Sequence, residues 1–461
     1  MKLRKAIRLA AEFGPVVVLL LLFALFTALT SRLYYPQSPA AGVKLADRLV
    51  EQYGPEVKVL VLAVPGADSQ PFVEAIEQEL QRQGVTGAAS FVGNPGEIRG
   101  FLDGLPTEGD RVTAIATNHR TASLSFLQDA ILRERGGAFT DTSVEEPESY
   151  YWPTFLQVEN LTNLLNNSAQ VAIIAVGMTL VIITAGIDLS VGSVMALAAV
   201  TTAVSINSWF GGAEASTWGL IGGGLVGIGV GALCGAFNGL VTTFLRVPPF
   251  IVTLAMFMIA RGLALVIATS YGHIGADGTT AATPEAVTIE AEAFGYLGMG
   301  RPFGIPLRIY IVFGLYLLTH MVMTRTSFGR YVYAVGGNRE AARLSGVPVY
   351  LVLIVVYALC GVGAGLSGII DASRFGGRPS GGELYELQAI AAVVVGGTSI
   401  SGGEGRVAGT LIGALIIAVI ESGLSQLNIM DAYQRRVVFG ALILVTVVID
   451  QLKNRYMARS A

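Results

Sequence analysis

The stretch AVGMTLVIITAGIDLSVGSVMALAA occupies residues 175–199. Two apolar runs flank a short, glycine-bearing polar break, Gly186 to Ser193. A helix needs about 20 mostly apolar residues to cross the hydrocarbon of a bilayer. Followed outward, the two runs reach that length, at 169–187 and 191–209. The stretch therefore reads as two membrane spans joined by a tight turn rather than a loop. Asp188 is placed to cap the second helix together with Ser190, and Gly192 belongs to the same turn.

The rest of the chain repeats this pattern. Of its residues 52% are apolar and 14% charged, and the mean hydropathy is +0.61. A soluble domain carries about 25% charged residues. Further spans are expected at 13–31, 218–244, 249–270, 307–324, 350–372, 386–401, 407–427 and 436–452. The class is thus a polytopic α-helical membrane protein with about ten transmembrane helices. The first run follows Lys2, Arg4, Lys5 and Arg8, a pattern that also fits a cleaved signal peptide. Glycine, at 57 residues, suits helices whose backbones approach closely.

Charge divides the chain. Residues 31–152 hold 10 Lys/Arg against 17 Asp/Glu, and the remainder holds 20 against 16. An acidic, water-soluble block is spliced into a basic membrane protein, giving three parts: a first helix at 1–31, an insert at 32–152 and a helical core at 153–461. Within the insert, strand-like runs (57–64, 86–93, 111–118) alternate with helix-like ones (69–84, 95–105, 121–137). Such alternation predicts an α/β domain of three layers around a parallel sheet. Just before the membrane resumes, Phe155, Val158, Leu161, Leu164 and Leu165 recur at helical spacing, so 155–167 is expected to lie as an amphipathic helix.

Lys and Arg in short loops set orientation. With both termini in the cytoplasm, thirteen fall on inner segments and six on outer ones. The insert is then extracytoplasmic, and YVYAVGGNREAARLSGVPVY (331–350) is an inner loop. In that loop Gly336–Gly337 read as a turn. Asn338 is a good N-cap, and Arg339 to Ser345 are mostly helix formers. Gly346 suits a left-handed position after the last turn, and Pro348 stops the helix. Two turns are marginal alone, so this helix is expected to dock on something. The plainer reading is a solvated basic loop.

Together these motifs carry a resemblance. Residues 175–199, GALCGAFNGLVTTFLRVPPFIVTLAMFMIARGLALV (231–266), GRYVYAVGGNREAARLSGVPV (329–349) and ELQAIAAVVVGGTSISGGEGRVAGTLIGALII (386–417) stand in the order seen in permease subunits of bacterial ABC importers for ribose, xylose, galactose and related monosaccharides. The chain resembles that family loosely over 1–31 and tightly over 154–455. The resemblance implies an inner-membrane protein, a homodimer of permease chains, and separate ABC ATPase subunits that bind ATP and magnesium. It also implies a periplasmic sugar-binding partner. The short inner helix would be the coupling element that sits on the ATPase, with Gly336, Gly337, Asn338, Glu340, Ala341, Ala342, Arg343 and Gly346 in that role. The insert resembles one lobe of a periplasmic sugar-binding protein, alongside the alternative of a spacer without a ligand.

Other chemistries find little support. No stretch reads G-x-x-x-x-G-K-[ST], so no P-loop is present. His119, His273 and His320 are scattered, no metal cluster or nucleophilic triad is legible, and no basic patch suggests nucleic acid. Cys234 and Cys360 both lie in apolar runs. This predicts a transport subunit, not an enzyme, with no cofactor or metal of its own. The main alternative is a secondary transporter or channel, which would use intramembrane charges such as Asp188, Arg261, Asp371 or Glu421. An ABC permease for a nucleoside or autoinducer is a further alternative. Asn238 and Thr253 supply the amide and hydroxyl that sugar hydroxyls require, and with Arg261 and Glu421 they are the path candidates. Arg261 and Glu421 can equally form a structural pair. The glycine turns at 186–193 and 396–406 are expected either to permit close packing or to flank an inner gate.

Overall fold

The computed structural model describes residues 2–66, 68–105, 111–127, 139, 142–272, 286–427 and scattered positions from 431 to 448. The chain divides into two units, Ser31–Pro153 and the remainder.

Helix α1 (Lys2–Leu29) carries the first apolar run. In chain order the Ser31–Pro153 unit then contains β1 (Ser31–Tyr34), α2 (Pro39–Tyr53), β2 (Lys58–Ala63), α3 (Ser69–Arg82), β3 (Gly87–Val92), α4 (Pro95–Asp103), β4 (Ala114–Thr117), α5 (His119–Ala122), β5 (Ser143–Glu145) and β6 (Tyr150–Pro153). Four strands form a parallel sheet in the order β3-β2-β4-β5. A parallel sheet is covered on both faces, so its central strand β2 is apolar and buried from Val59 to Ala63. Val59, Val61 and Ala63 face Leu45, Leu49, Phe72 and Ile76 of α2 and α3. Leu60 and Leu62 point the other way, onto Ile98, Leu102 and Leu127. Strands β1 and β6 pair antiparallel where the unit begins and ends, with Tyr34 opposite Tyr150. Helix α2 and strand β5 had no counterpart in the strand and helix runs read from sequence. Most of the third expected helix, 121–137, lies outside the described residues, as does most of the expected span 436–452.

In the second unit a 3-10 turn at Thr154–Leu156 leads into α6 (Val158–Ile183), α7 (Val191–Trp209), α8 (Thr217–Phe244), α9 (Pro249–Gly272), α10 (Tyr296–Met299), α11 (Leu307–Arg325), α12 (Ser327–Gly337), α13 (Arg339–Leu344), α14 (Val349–Phe375), α15 (Tyr385–Val395) and α16 (Val407–Leu427). Among the described residues seven helices, α6, α7, α8, α9, α11, α14 and α16, are long and apolar enough to cross a membrane. Helices α6 and α7 fill the centre, packed with α14 and α15. Helix α8 repeats glycine every fourth residue from Gly219 to Gly239, through Gly223, Gly227, Gly231 and Gly235. This ridge lies against α14, where Gly231 and Gly361 face each other backbone to backbone. Without a hydrophobic driving force between helices in lipid, such close van der Waals contact holds them together.

Two expectations change. The amphipathic segment 155–167 is not a separate helix: α6 runs unbroken from Val158, because no glycine or proline interrupts it before Gly177. The expected span 386–401 is the 11-residue α15. At about 1.5 Å per residue it covers roughly half the hydrocarbon thickness. Gly376, at φ +74°, ends α14, and the chain then turns back alongside α7. A Cβ on Gly377 would stand 2.7 Å from Val200 Cα, while Gly382 packs on Gly192, two turns nearer the start of α7. The re-entering segment consumes the length that the other half of a span would have used.

Candidate functional site

The loop 326–348 is two helices. Thr326 caps α12 by accepting the Gly329 N–H at 3.4 Å. Val332 and Val335 bury one face of α12. Gly336 and Gly337 are its last residues and not a turn, which corrects the sequence reading. Asn338 follows in extended conformation, and its Oδ1 accepts the Ala341 N–H at 2.9 Å, starting α13. Gly346 sits at φ +85°, and its N–H and that of Val347 close onto the carbonyls of Arg343 and Ala342, both at 3.0 Å. Ala342 is buried in the main core, whereas Ala341 is exposed and Leu344 is 78% exposed. Glu340 and Arg343 form an exposed ion pair at 2.6 Å. That hydrogen bond holds the Glu340 carboxyl below the usual range and raises Arg343. The helix is therefore pinned by one alanine and offers Arg339, Glu340, Arg343 and Leu344 outward. Beside it opens a cleft of ≈ 600 Å³ lined by Arg246, Arg339, Arg343 and Tyr350.

The base of this loop meets both glycine turns of the sequence. Gly336 lies against the carbonyl of Ile183 at the end of α6, and the Gly403 N–H donates to that same carbonyl at 2.9 Å. Gly402, at φ +85°, fits between Ala185 and Gly336. The Tyr333 hydroxyl donates to the Gly405 carbonyl at 2.8 Å. Three segments distant in sequence thus share one contact.

Asp188 and Ser190 lie between α6 and α7, and Gly192 is in the first turn of α7. The expected side-chain cap does not form: Ser190 stands at the N-cap of α7 without a side-chain bond to the first turn, and Asp188 Oδ1 instead holds Ser190, accepting its N–H at 2.9 Å and its hydroxyl at 2.6 Å. Ser190 Oγ in turn accepts from Asn238 Nδ2 at 3.0 Å. Thr253 donates to the Ile187 carbonyl at 3.3 Å. Asn238 and Thr253 are fully buried. Four of the residues singled out in the sequence are therefore brought into one buried cluster, with Gly192 beside it against Gly382 and Glu386.

Arg261 and Glu421 do not pair. Arg261 donates to the carbonyls of Pro379 and Gly381, holding the re-entering segment. That segment is also fixed by Arg378 on Asp371, at 3.0 Å. Asp371 accepts from Gln170 at 3.0 Å, and Gln170 accepts from Tyr385 at 3.1 Å. Arg378, Gln170 and Tyr385 were missed in the sequence, since lone polar residues in apolar runs do not name their partners. Glu421 lines a separate cleft of ≈ 290 Å³ between α6 and α16, with Asn160, Asn163, Asn167, Ser422, Ser425 and Gln426.

Residues 160–447 match a family described as the permease component of the branched-chain amino acid transport system. The chain is 41% identical to the ribose import permease of Escherichia coli K12 over 307 residues, 66% of this chain and 88% of that protein. The ribose import permease of Bacillus subtilis 168 is also 41% identical, over 303 residues, with the same coverage. The xylose transport system permease of E. coli K12 is 34% identical over 357 residues, 66% of this chain and 89% of that protein. No solved structure matches. Spanning helices, a capped polar loop tied to their core, and these relatives agree: the chain belongs to this family of multi-pass transport permeases.

Proposed function

We propose that this chain is the membrane subunit of an ABC importer that carries a monosaccharide inward, driven by ATP hydrolysed on separate subunits. The observation that carries this reading is α13. It is a short, capped helix with an outward polar face, and Gly336 of α12, two residues before its cap, packs directly on the end of α6. A push on such a helix is passed to the core through backbone contacts. The relatives' printed roles in ribose and xylose transport support the cargo class.

In this reading both termini face the cytoplasm, residues 32–152 are extracytoplasmic, and ATPase chains with their ATP and magnesium dock at α13. Two permease chains and a soluble sugar-binding protein complete the assembly. The first helix is retained: Phe26 is buried and packs against Phe155 and Gly423. The insert is one lobe of a sugar-binding fold serving as a docking surface. Asp188 and Asp371 are engaged by neighbours, which argues against their carrying protons for a secondary transporter.

The test is reconstitution in proteoliposomes with an ATPase and a binding protein from the same source. ATP-dependent accumulation of ribose or xylose is expected. Accumulation driven by an ion gradient without any ATPase chain would overturn the proposal.

A further inference from the structure

We propose that the cleft between α6 and α16 is the entry site of the transport path and holds one neutral monosaccharide. The inference rests on the proposed cargo class and assigns it a place. Asn160, Asn163 and Asn167 fall on one stripe of α6, and Glu421, Ser422 and Ser425 on a facing stripe of α16. Polar side chains on spanning helices are costly toward lipid and so turn to the bundle interior or to a solute path.

The cleft has a fixed floor and an open lining. Asn160 Nδ2 donates to the Phe155 carbonyl at 2.8 Å, and its Oδ1 accepts from Ser422 and from Gln426, each at 2.9 Å. Asn163, Asn167 and Ser425 form no hydrogen bond to any described side chain and keep their donors and acceptors for a ligand.

The chemistry of the lining selects the ligand. Amides and hydroxyls both donate and accept, as sugar hydroxyls do. Among the described residues no Lys, Arg or His lines the cleft, so its described lining offers an anion no counter-charge. Leu164 and Ala418 give the C–H face of a ring an apolar contact. The volume of ≈ 290 Å³ lies at the lower end of small-molecule pockets, about 300–1,000 Å³, which suits one sugar ring and not two.

Its place along the helix fits an entrance. Helix α6 has 26 residues, about 39 Å at 1.5 Å each, against about 30 Å of hydrocarbon. The asparagine stripe occupies its first turns and therefore the mouth of the span. With the proposed orientation that mouth is extracytoplasmic. A half-open site with few contacts binds weakly, as passage requires.

The test uses the full importer in proteoliposomes. Asn167→Leu and Ser425→Leu together remove two hydrogen-bond partners and are expected to slow pentose uptake by about tenfold. Asn167→Gln with Ser425→Thr should keep most of it, which separates lost hydrogen bonds from misfolding. Independently, Asn167→Cys should be labelled by a hydrophilic thiol reagent, and saturating ribose or xylose with the binding protein should slow that labelling. If the unaltered importer takes up pentose but the leucine pair transports normally and sugar gives no protection, the cleft is a wet rim and the inference is wrong while the cargo class stands. If the unaltered importer moves no monosaccharide, both fail.

Discussion

The carbonyl oxygen of Ile183 occupies the place where a Cβ on Gly336 would stand, and the same oxygen accepts the Gly403 N–H at 2.9 Å. One backbone atom of a central helix thereby joins the polar loop and the second glycine turn. Any displacement of α12 has to move the end of α6 or break this contact.

Gly336→Ala should therefore abolish most uptake. Overpacking of this kind costs about 1–3 kcal/mol, so a fall in thermal stability should accompany it. Gly337, one residue on, has open space around its Cβ position, and Gly337→Ala should behave like the unaltered protein. Paired measurements of uptake and thermal unfolding check this; equal behaviour of the two variants would dissolve the proposed link.

Gly346 isolates a different effect. It lies at φ +85° with nothing within 4 Å of its Cβ position, so substitution strains backbone without a clash. Gly346→Val should cost at least 1–2 kcal/mol locally (~) and reduce transport-stimulated ATP hydrolysis while membrane insertion stays normal. Asn338→Ala, which removes a cap worth about 1 kcal/mol, should act in the same direction, and Asn338→Asp should largely restore function. ATPase assays on the reconstituted importer decide this.

Gly231 and Gly361 form the tightest part of the α8–α14 contact. A leucine at either position cannot be accommodated by side-chain movement, since the obstruction is backbone. Gly361→Leu should prevent stable folding, read as loss of monodisperse protein in detergent. Gly229, on the same helix but with open space around it, should accept leucine with little change.

Orientation has a direct check. Glu148, 85% exposed in the Ser31–Pro153 unit, and Ser345, exposed after α13, are suitable labelling positions. Glu148→Cys should react with a membrane-impermeant thiol reagent on intact cells, and Ser345→Cys only after permeabilisation. The reverse pattern would invert the topology and remove the cytoplasmic role of α13.

Local features of this protein were legible in its sequence. Apolar runs announce spanning helices because, in lipid, every backbone group must be satisfied within the helix itself. Asn338 and Gly346 mark the ends of α13 because capping and left-handed geometry are decided within a few residues. Strand and helix alternation between Lys58 and Thr117 is likewise a matter of short-range periodicity. Other features depended on partners far along the chain. Gly336–Gly337 look like a turn by composition, yet they end a helix, and at Gly336 it is Ile183 and Gly403, far along the chain, that leave no room for a side chain. The run 386–401 looks like a full span, yet its helix stops at Val395, too short to cross, because Arg261 and Gly192 hold the preceding segment inside the bundle. The asparagines of α6 and the serines of α16 are some 260 positions apart, as Asn160 and Ser422 illustrate. Periodicity shows that each helix has a polar stripe. Which stripe faces which is settled only when helices pack, since close packing satisfies all of their contacts at once.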